Sequence, residues 1–265
     1  MTKLKHKFQT EPNLVGAWLS IGHPTVAEVT ATHGFDFVLI DTEHTTVNLE
    51  TVENMSRGVD AAEGATKTIV RVPSDDPVRI KRVLDIGIAG IMVPRIETAD
   101  EARDIVQAVT YPPDGIRGVA SGRASTYGDD FEQYFKNAND SITTVVQIET
   151  QTGLDNAREI AAVDGIDAVF VGPADLSANL GIFGEWDNDR FDAAIERVVR
   201  AGAAADIPVG TLVVDPTDIE TRVKQDFDFL IVGKDTSHLS AANERIRERY
   251  EKTISQHTAT SMTED

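Results

Sequence analysis

The chain has 265 residues, 44 acidic against 25 basic side chains, a formal net charge of -19 and no cysteine. Lack of cysteine excludes disulfides, thiolate zinc sites, iron–sulfur clusters and cysteine nucleophiles, and a field of that sign repels nucleic acid and anionic membrane. No apolar run approaches the roughly 18 residues of a membrane helix and the N-terminus is polar rather than signal-like, so a cytoplasmic protein is expected; Arg outnumbers Lys, and the acidic surface points to a halophilic, salt-rich cytosol that screens self-repulsion.

In chain order, strands are predicted at Leu14 to Ser20, Phe37 to Asp41, Lys67 to Arg71, Gly90 to Pro94, Thr143 to Glu149, Asp167 to Gly172, Pro208 to Val213 and Phe229 to Val232. They are apolar without alternation, the pattern of parallel strands covered on both faces. Between them lie segments with apolar residues at helical spacing, among them Pro24 to His33, Asp76 to Ile86, Thr98 to Val109, Arg190 to Ala204 and Thr217 to Gln225. Eight such units in a chain of this length predict an α/β fold, a (β/α)8 TIM barrel, with an open doubly wound sheet as the alternative.

One barrel domain is expected over residues 1–252, closing on a helix from Ser237 to Tyr250 that also serves an oligomer contact. Residues 253–265, mostly Ser, Thr, Glu and Asp, are expected to form a disordered acidic tail. The stretch Tyr111 to Asp130, rich in Pro, Gly, Ser and Arg, is longer than a plain connection and reads as a functional loop. Leu14 to Pro24 holds only Gly16 and Gly22, so neither a dinucleotide fingerprint nor a P-loop is present.

Two strands lead to carboxylates. Thr144 to Ile148 run into Glu149, and Ala168 to Gly172 run through Pro173 and Ala174 into Asp175. The C-terminal edge of parallel strands is where α/β proteins place chemistry. Two acids there suit a divalent cation, which prefers hard oxygen ligands; the alternative is that each caps its following helix. The same rim collects His44, an imidazole able to act as a general base, and Arg71, a permanently charged fork suited to an oxyanion. Lys234 reads either as a Schiff-base lysine or as a solvated or ion-paired one.

In order and spacing, Gly16-Ala17-Trp18-Leu19-Ser20, Phe37-Val38-Leu39-Ile40-Asp41-Thr42-Glu43-His44, Tyr111-Pro112-Pro113-Asp114-Gly115-Ile116-Arg117-Gly118, Val146-Gln147-Ile148-Glu149-Thr150 and Val171-Gly172-Pro173-Ala174-Asp175-Leu176-Ser177 resemble the HpcH/HpaI aldolase family, from Leu14 to about Arg249. The resemblance implies a metal-dependent class II aldolase, a carbon–carbon lyase. Such an enzyme reversibly cleaves a 2-oxo-4-hydroxy acid, such as a 2-keto-3-deoxy sugar acid or hydroxy keto-diacid, to pyruvate and an aldehyde through a metal-bound pyruvate enolate. It implies Mg, Mn or Co on Glu149 and Asp175, and pyruvate contacts from Gln147, Gly172, Ala174 and Asp175. It further implies His44 as base with Asp85 orienting it, Arg71 as oxyanion stabiliser and Leu212 on the acceptor wall. Members of the family are usually hexamers, so a homo-oligomer is expected.

Two departures from the family pattern bear on the aldehyde end. The loop Gly118 to Tyr127 is short, and His23 stands where a small polar residue is expected. Both would touch the acceptor or a neighbouring subunit, with a solvated His23 as the alternative, and Arg123 would bind a distal carboxylate or pin the loop. The rival activities are a citrate-lyase-β-like acyl-CoA lyase, which needs a basic surface not evident here, and a non-catalytic organic-acid-binding barrel, which needs no base.

Overall fold

The computed structural model describes residues 3–261. Eight parallel strands close on one another in chain order: β1 (Leu14–Leu19), β2 (Phe37–Asp41), β3 (Lys67–Arg71), β4 (Gly90–Val93), β5 (Thr143–Ile148), β6 (Ala168–Val171), β7 (Val209–Val213) and β8 (Phe229–Lys234). The expected (β/α)8 barrel is therefore the fold. Around it run α2 (Pro24–Ala31), α3 (Leu49–Ala61), α4 (Pro77–Leu84), α5 (Ala99–Val109), α6 (Phe131–Ala138), α7 (Gln151–Asp155), α8 (Ala157–Ala161), α9 (Pro173–Asn179), α10 (Asp189–Ala205) and α11 (Ile219–Lys224). Among the described residues no helix is long and apolar enough to cross a membrane.

Strand alternation divides the apolar residues into two shells. Val38, Ile40, Val70, Ile91, Val146 and Val169 face the helices, while Phe37, Leu39, Ile69, Met92, Val145 and Phe170 fill the interior. Gly16 and Gly210 are small for a reason: a Cβ on either would run into the ring of Phe37 or Phe229. A short helix absent from the expected pattern, α1 (Leu4–Thr10), closes the N-terminal end of the strands. Its Phe8 stacks edge-on against Phe229 at 5.0 Å, and Lys5 and Lys7 tie it to Asp167 and Asp36 at 3.1 and 2.6 Å.

Two ends of elements differ from expectation. β8 continues past Val232 through Gly233 to Lys234, because a bulge against β1 carries the strand across the glycine. The last helix, α12 (Asp235–Ser261), runs well beyond Tyr250, so residues 253–261 are helical rather than an unstructured tail; residues 262–265 lie outside the described residues. Extending an existing helix costs far less than nucleating one, and the Arg247–Glu251 pair supports it at 3.5 Å. α12 leaves Leu239, Ile246, Tyr250 and Ile254 exposed along its length.

Candidate active site

Arg71 is the last residue of β3 and the register partner of Asp41 on β2. Its Nε and Nη2 donate to the two Asp41 carboxylate oxygens at 2.9 and 2.8 Å, and Nη1 lies 2.8 Å from Glu43. The guanidinium also stands 4.5 Å over the Trp18 ring. Arg71, Asp41 and Trp18 are buried and Glu43 is half-buried. Burial pushes the Asp41 carboxyl up, but hydrogen bonds and charge from Arg71, helped by the N–H groups of Glu43 and His44, outweigh it and leave Asp41 below the usual carboxylate range. For Glu43 burial prevails over the pull of Arg71, and its carboxyl is raised.

Glu149 follows the end of β5 and is 3 % exposed. One carboxylate oxygen accepts from the Arg95 N–H at 2.9 Å and the other from the Gln147 amide at 3.1 Å. Arg95 reaches that position only by adopting φ 53°, a left-handed conformation that is uncommon outside glycine and gathers at functional sites. Gly172, at the end of β6, gives Glu149 its room, because a Cβ there would run into the Glu149 carboxylate. Asp175 lies in the first turn of α9. Burial first, then the negative charges of Asp175 and Glu43, push Glu149 up to about 7 against the pull of Arg71.

This pair fits a divalent cation. Glu149, whose proton affinity is raised by burial and by the charges of Asp175 and Glu43, is short of positive charge, and the buried Gln147 Oε1 beside it has no donor among the described residues. No group of three or more acid or imidazole ligands closes on one point among the described residues. Two protein carboxylates with the other positions filled by substrate and water is a pattern of magnesium-like sites.

The remaining residues divide between the two ends of the barrel. His44 sits at the mouth after β2, mostly exposed, with Nε2 3.8 Å from Glu43. Leu212 lines the interior on β7 opposite Ile231, and Gly172 and Ala174 open α9. Among the described residues Lys234 makes no ion pair, and it is half-buried, with its ammonium 5.6 Å from the Trp18 ring. His23 caps α2, its Nδ1 accepting from the Thr25 N–H at 3.2 Å.

Asp85 and the loop Gly118 to Tyr127 do not join the mouth of their own chain. Asp85 is the C-cap of α4, and a helix following a barrel strand runs back toward the strands' N-terminal ends. There it pairs with Arg117 at 3.1 Å and accepts at its backbone from Ala124 N–H at 3.2 Å. Arg123 pins the loop to the same end, donating to the Ile86 carbonyl at 2.7 Å and to Asp60 at 2.6 Å. The expected orientation of His44 by Asp85 is thus not made within one copy, and the loop does not form this chain's acceptor wall; turn-level reading ignored which end of the barrel a helix terminus reaches. Conversely, Asp41, Glu43 and the Arg95 backbone are site residues that sequence reasoning left without a role. The signal for Asp41 was available, since Asp41 and Arg71 end adjacent strands.

Comparison with known proteins comes to the same barrel mouth. The sequence profile described as HpcH/HpaI aldolase/citrate lyase matches residues 14–242. The chain is 40% identical over 235 residues to a hydroxypyruvate/pyruvate aldolase of Delftia acidovorans, covering 88% of this chain and 86% of that protein. It is 42% identical over 214 residues to a 4-hydroxy-2-oxovalerate aldolase of Novosphingobium aromaticivorans, covering 78% and 80%. A crystal structure of an HpcH/HpaI aldolase/citrate lyase family protein from Burkholderia cenocepacia superposes with a TM-score of 0.91 at 35% identity, covering 94% of this chain and 98% of that one.

Proposed function

The chain belongs to the HpcH/HpaI aldolase/citrate lyase family and is a carbon–carbon lyase, and from that premise we propose a divalent-metal-dependent class II aldolase joining pyruvate to an aldehyde at the barrel mouth. The observation that carries the reading is Glu149, buried, fixed through both oxygens, given room by Gly172 and acted on by the charge of Asp175. A Mg, Mn or Co ion held by these two acids supplies Lewis-acid charge for the carboxylate and ketone of a 2-oxo acid.

The chain's own residues do the rest. The first turn of α9 has N–H groups at Ala174 and Asp175 with no helical acceptor, and Gly172 keeps the approach open, so this edge takes the pyruvate carboxylate. Gln147 orients Glu149. Arg71, held by Asp41 and Glu43, retains N–H groups for the oxygen that gains charge. In cleavage, His44 takes the proton of the C4 hydroxyl, the C3–C4 bond breaks to release the aldehyde, and its electron pair forms the pyruvate enolate, which a proton at C3 converts to pyruvate. Condensation is the reverse, with Leu212 on the acceptor wall.

Asp85 lies at the far end of its own barrel, so it can orient His44 only across a boundary between copies. That requirement and the exposed apolar stripe of α12 support a homo-oligomer, which we take to be a hexamer. The charge of -19 supports residence in a salt-rich cytoplasm. The test is pyruvate with a panel of aldehydes, read by product mass. Products should form with Mg or Mn and vanish in EDTA; full activity in chelator removes the metal, and no product with any aldehyde removes the aldol reaction on pyruvate.

A further inference from the structure

β8 does not meet β1 in simple register. Gly16 pairs with Ile231 and Trp18 with Lys234, so β8 spends one more residue than β1 over this span. The extra residue is Gly233, at φ 78°, a bulge of the left-handed glycine kind that is rare between parallel strands. Ile231 faces the interior, and strict alternation would turn Gly233 inward and Lys234 toward the helices. The bulge reverses that parity and aims Lys234 into the mouth. Nothing but glycine suits the bulge, since a Cβ would also run into the His238 ring.

Among the described residues the lysine so placed has no paired anion. Its ammonium stands 5.6 Å from the centre of the Trp18 indole, over which the Arg71 guanidinium also sits at 4.5 Å. Among the described residues it makes no ion pair and no side-chain hydrogen bond. The acids nearby are committed: Asp41 and Glu43 to Arg71, and Asp235 to the N–H groups of Ser20, Ile21 and Thr236 at 3.0, 2.8 and 2.7 Å. Glu149 and Asp175 serve the cation of the proposed function. A partly desolvated ammonium on an interior wall, with every carboxylate in use, is stabilised by an anion brought in by a ligand.

We propose that Lys234 is a specificity-determining residue that binds a second carboxylate, at the end of the substrate remote from the pyruvate half. The assignment rests on the proposed function, which puts the pyruvate half on the Glu149 side of the mouth. The substrate class is then a 2-oxo acid carrying a distal carboxylate, equivalently pyruvate plus a carboxyaldehyde.

The test separates this subsite from turnover. Binding of 2-oxoadipate and of 2-oxohexanoate to the Mg-loaded protein is measured by titration calorimetry; the two ligands share the chelating end and differ at the distal one. Wild type should bind the diacid about 10- to 100-fold tighter, Lys234→Met should bring the two affinities together, and Lys234→Arg should restore a preference. Equal affinities in wild type, or a preference that survives Lys234→Met, overturn the proposal. If Lys234→Met binds neither acid, Lys234→Gln decides by the same comparison. A Lys234-dependent preference in a protein that forms no product from pyruvate would leave the subsite standing and remove the aldolase reaction.

Discussion

Asp41 and Arg71 are register partners on neighbouring strands, and their side chains close a two-bond fork of 2.9 and 2.8 Å in the wall of the barrel mouth. The fork fixes the guanidinium before any substrate arrives, and Glu43 holds the third nitrogen. An oxyanion-stabilising group positioned in advance needs no reorganisation during the reaction.

Replacing Asp41 by Asn breaks the fork while keeping its shape. Removing one charge of a buried pair costs about 3 kcal/mol or more, so chemical denaturation should show a loss of that order, together with a fall in kcat. The Asp41 carboxyl is lowered in the folded state, so its contribution is present above the ordinary carboxylate range and disappears as pH falls through the lowered value. The difference between wild type and Asp41→Asn should therefore shrink in acid. A variant with wild-type stability at neutral pH contradicts this role.

Metal affinity should follow the titration of Glu149. With its carboxyl pushed up to about 7 in the metal-free protein, the ion competes with a proton below that pH. Affinity for Mn should rise about tenfold per pH unit up to the neutral range and then level off, with protons released on binding. The same raised value means that this group's contribution to metal-free stability is greatest in acid and is lost as pH rises through about 7. Calorimetry in buffers of different ionisation enthalpy reads the proton count; a flat affinity between about pH 5 and 8 would assign the cation elsewhere.

His44→Ala and Asp85→Ala should each lose most activity, yet complement one another. In a randomly mixed oligomer about a quarter of sites pair an intact His44 with an intact Asp85 of a neighbouring copy. Co-expression with two affinity tags isolates the mixed species. Activity no greater than the average of the two parents would remove Asp85 from the site.

Salt should stabilise the protein. With a net charge of -19, self-repulsion in the folded state is reduced as the Debye length shortens from about 10 Å at 0.1 M to about 3 Å at 1 M salt. Tm should rise steadily with KCl over that range, and a Tm that falls or stays level would remove the reading of the acidic surface as an adaptation to salt.

Much of the site was legible because strand ends are legible. Val145 to Glu149 and Val169 to Asp175 show where the chain leaves the sheet, and a closed parallel barrel brings all such points to one end. The end of β8 was placed too early by the same rule, since Gly233 reads as the end of a strand and acts as a bulge within it. α1 was missed because seven residues with two buried apolar side chains give too weak a pattern.

The sequence by itself determined the eight βα units, the pair Glu149 and Asp175, and the presence of His44 and Arg71 at strand ends. These follow from local periodicity and from which residue types terminate each apolar run. Only the tertiary structure decided that Asp41 and Glu43 hold Arg71, that Lys234 faces the mouth and that Asp85 lies at the opposite end from His44. The reason is physical: pairing register, a single bulged residue and the direction of a returning helix are set by contacts between segments distant in the chain, and no local pattern encodes them.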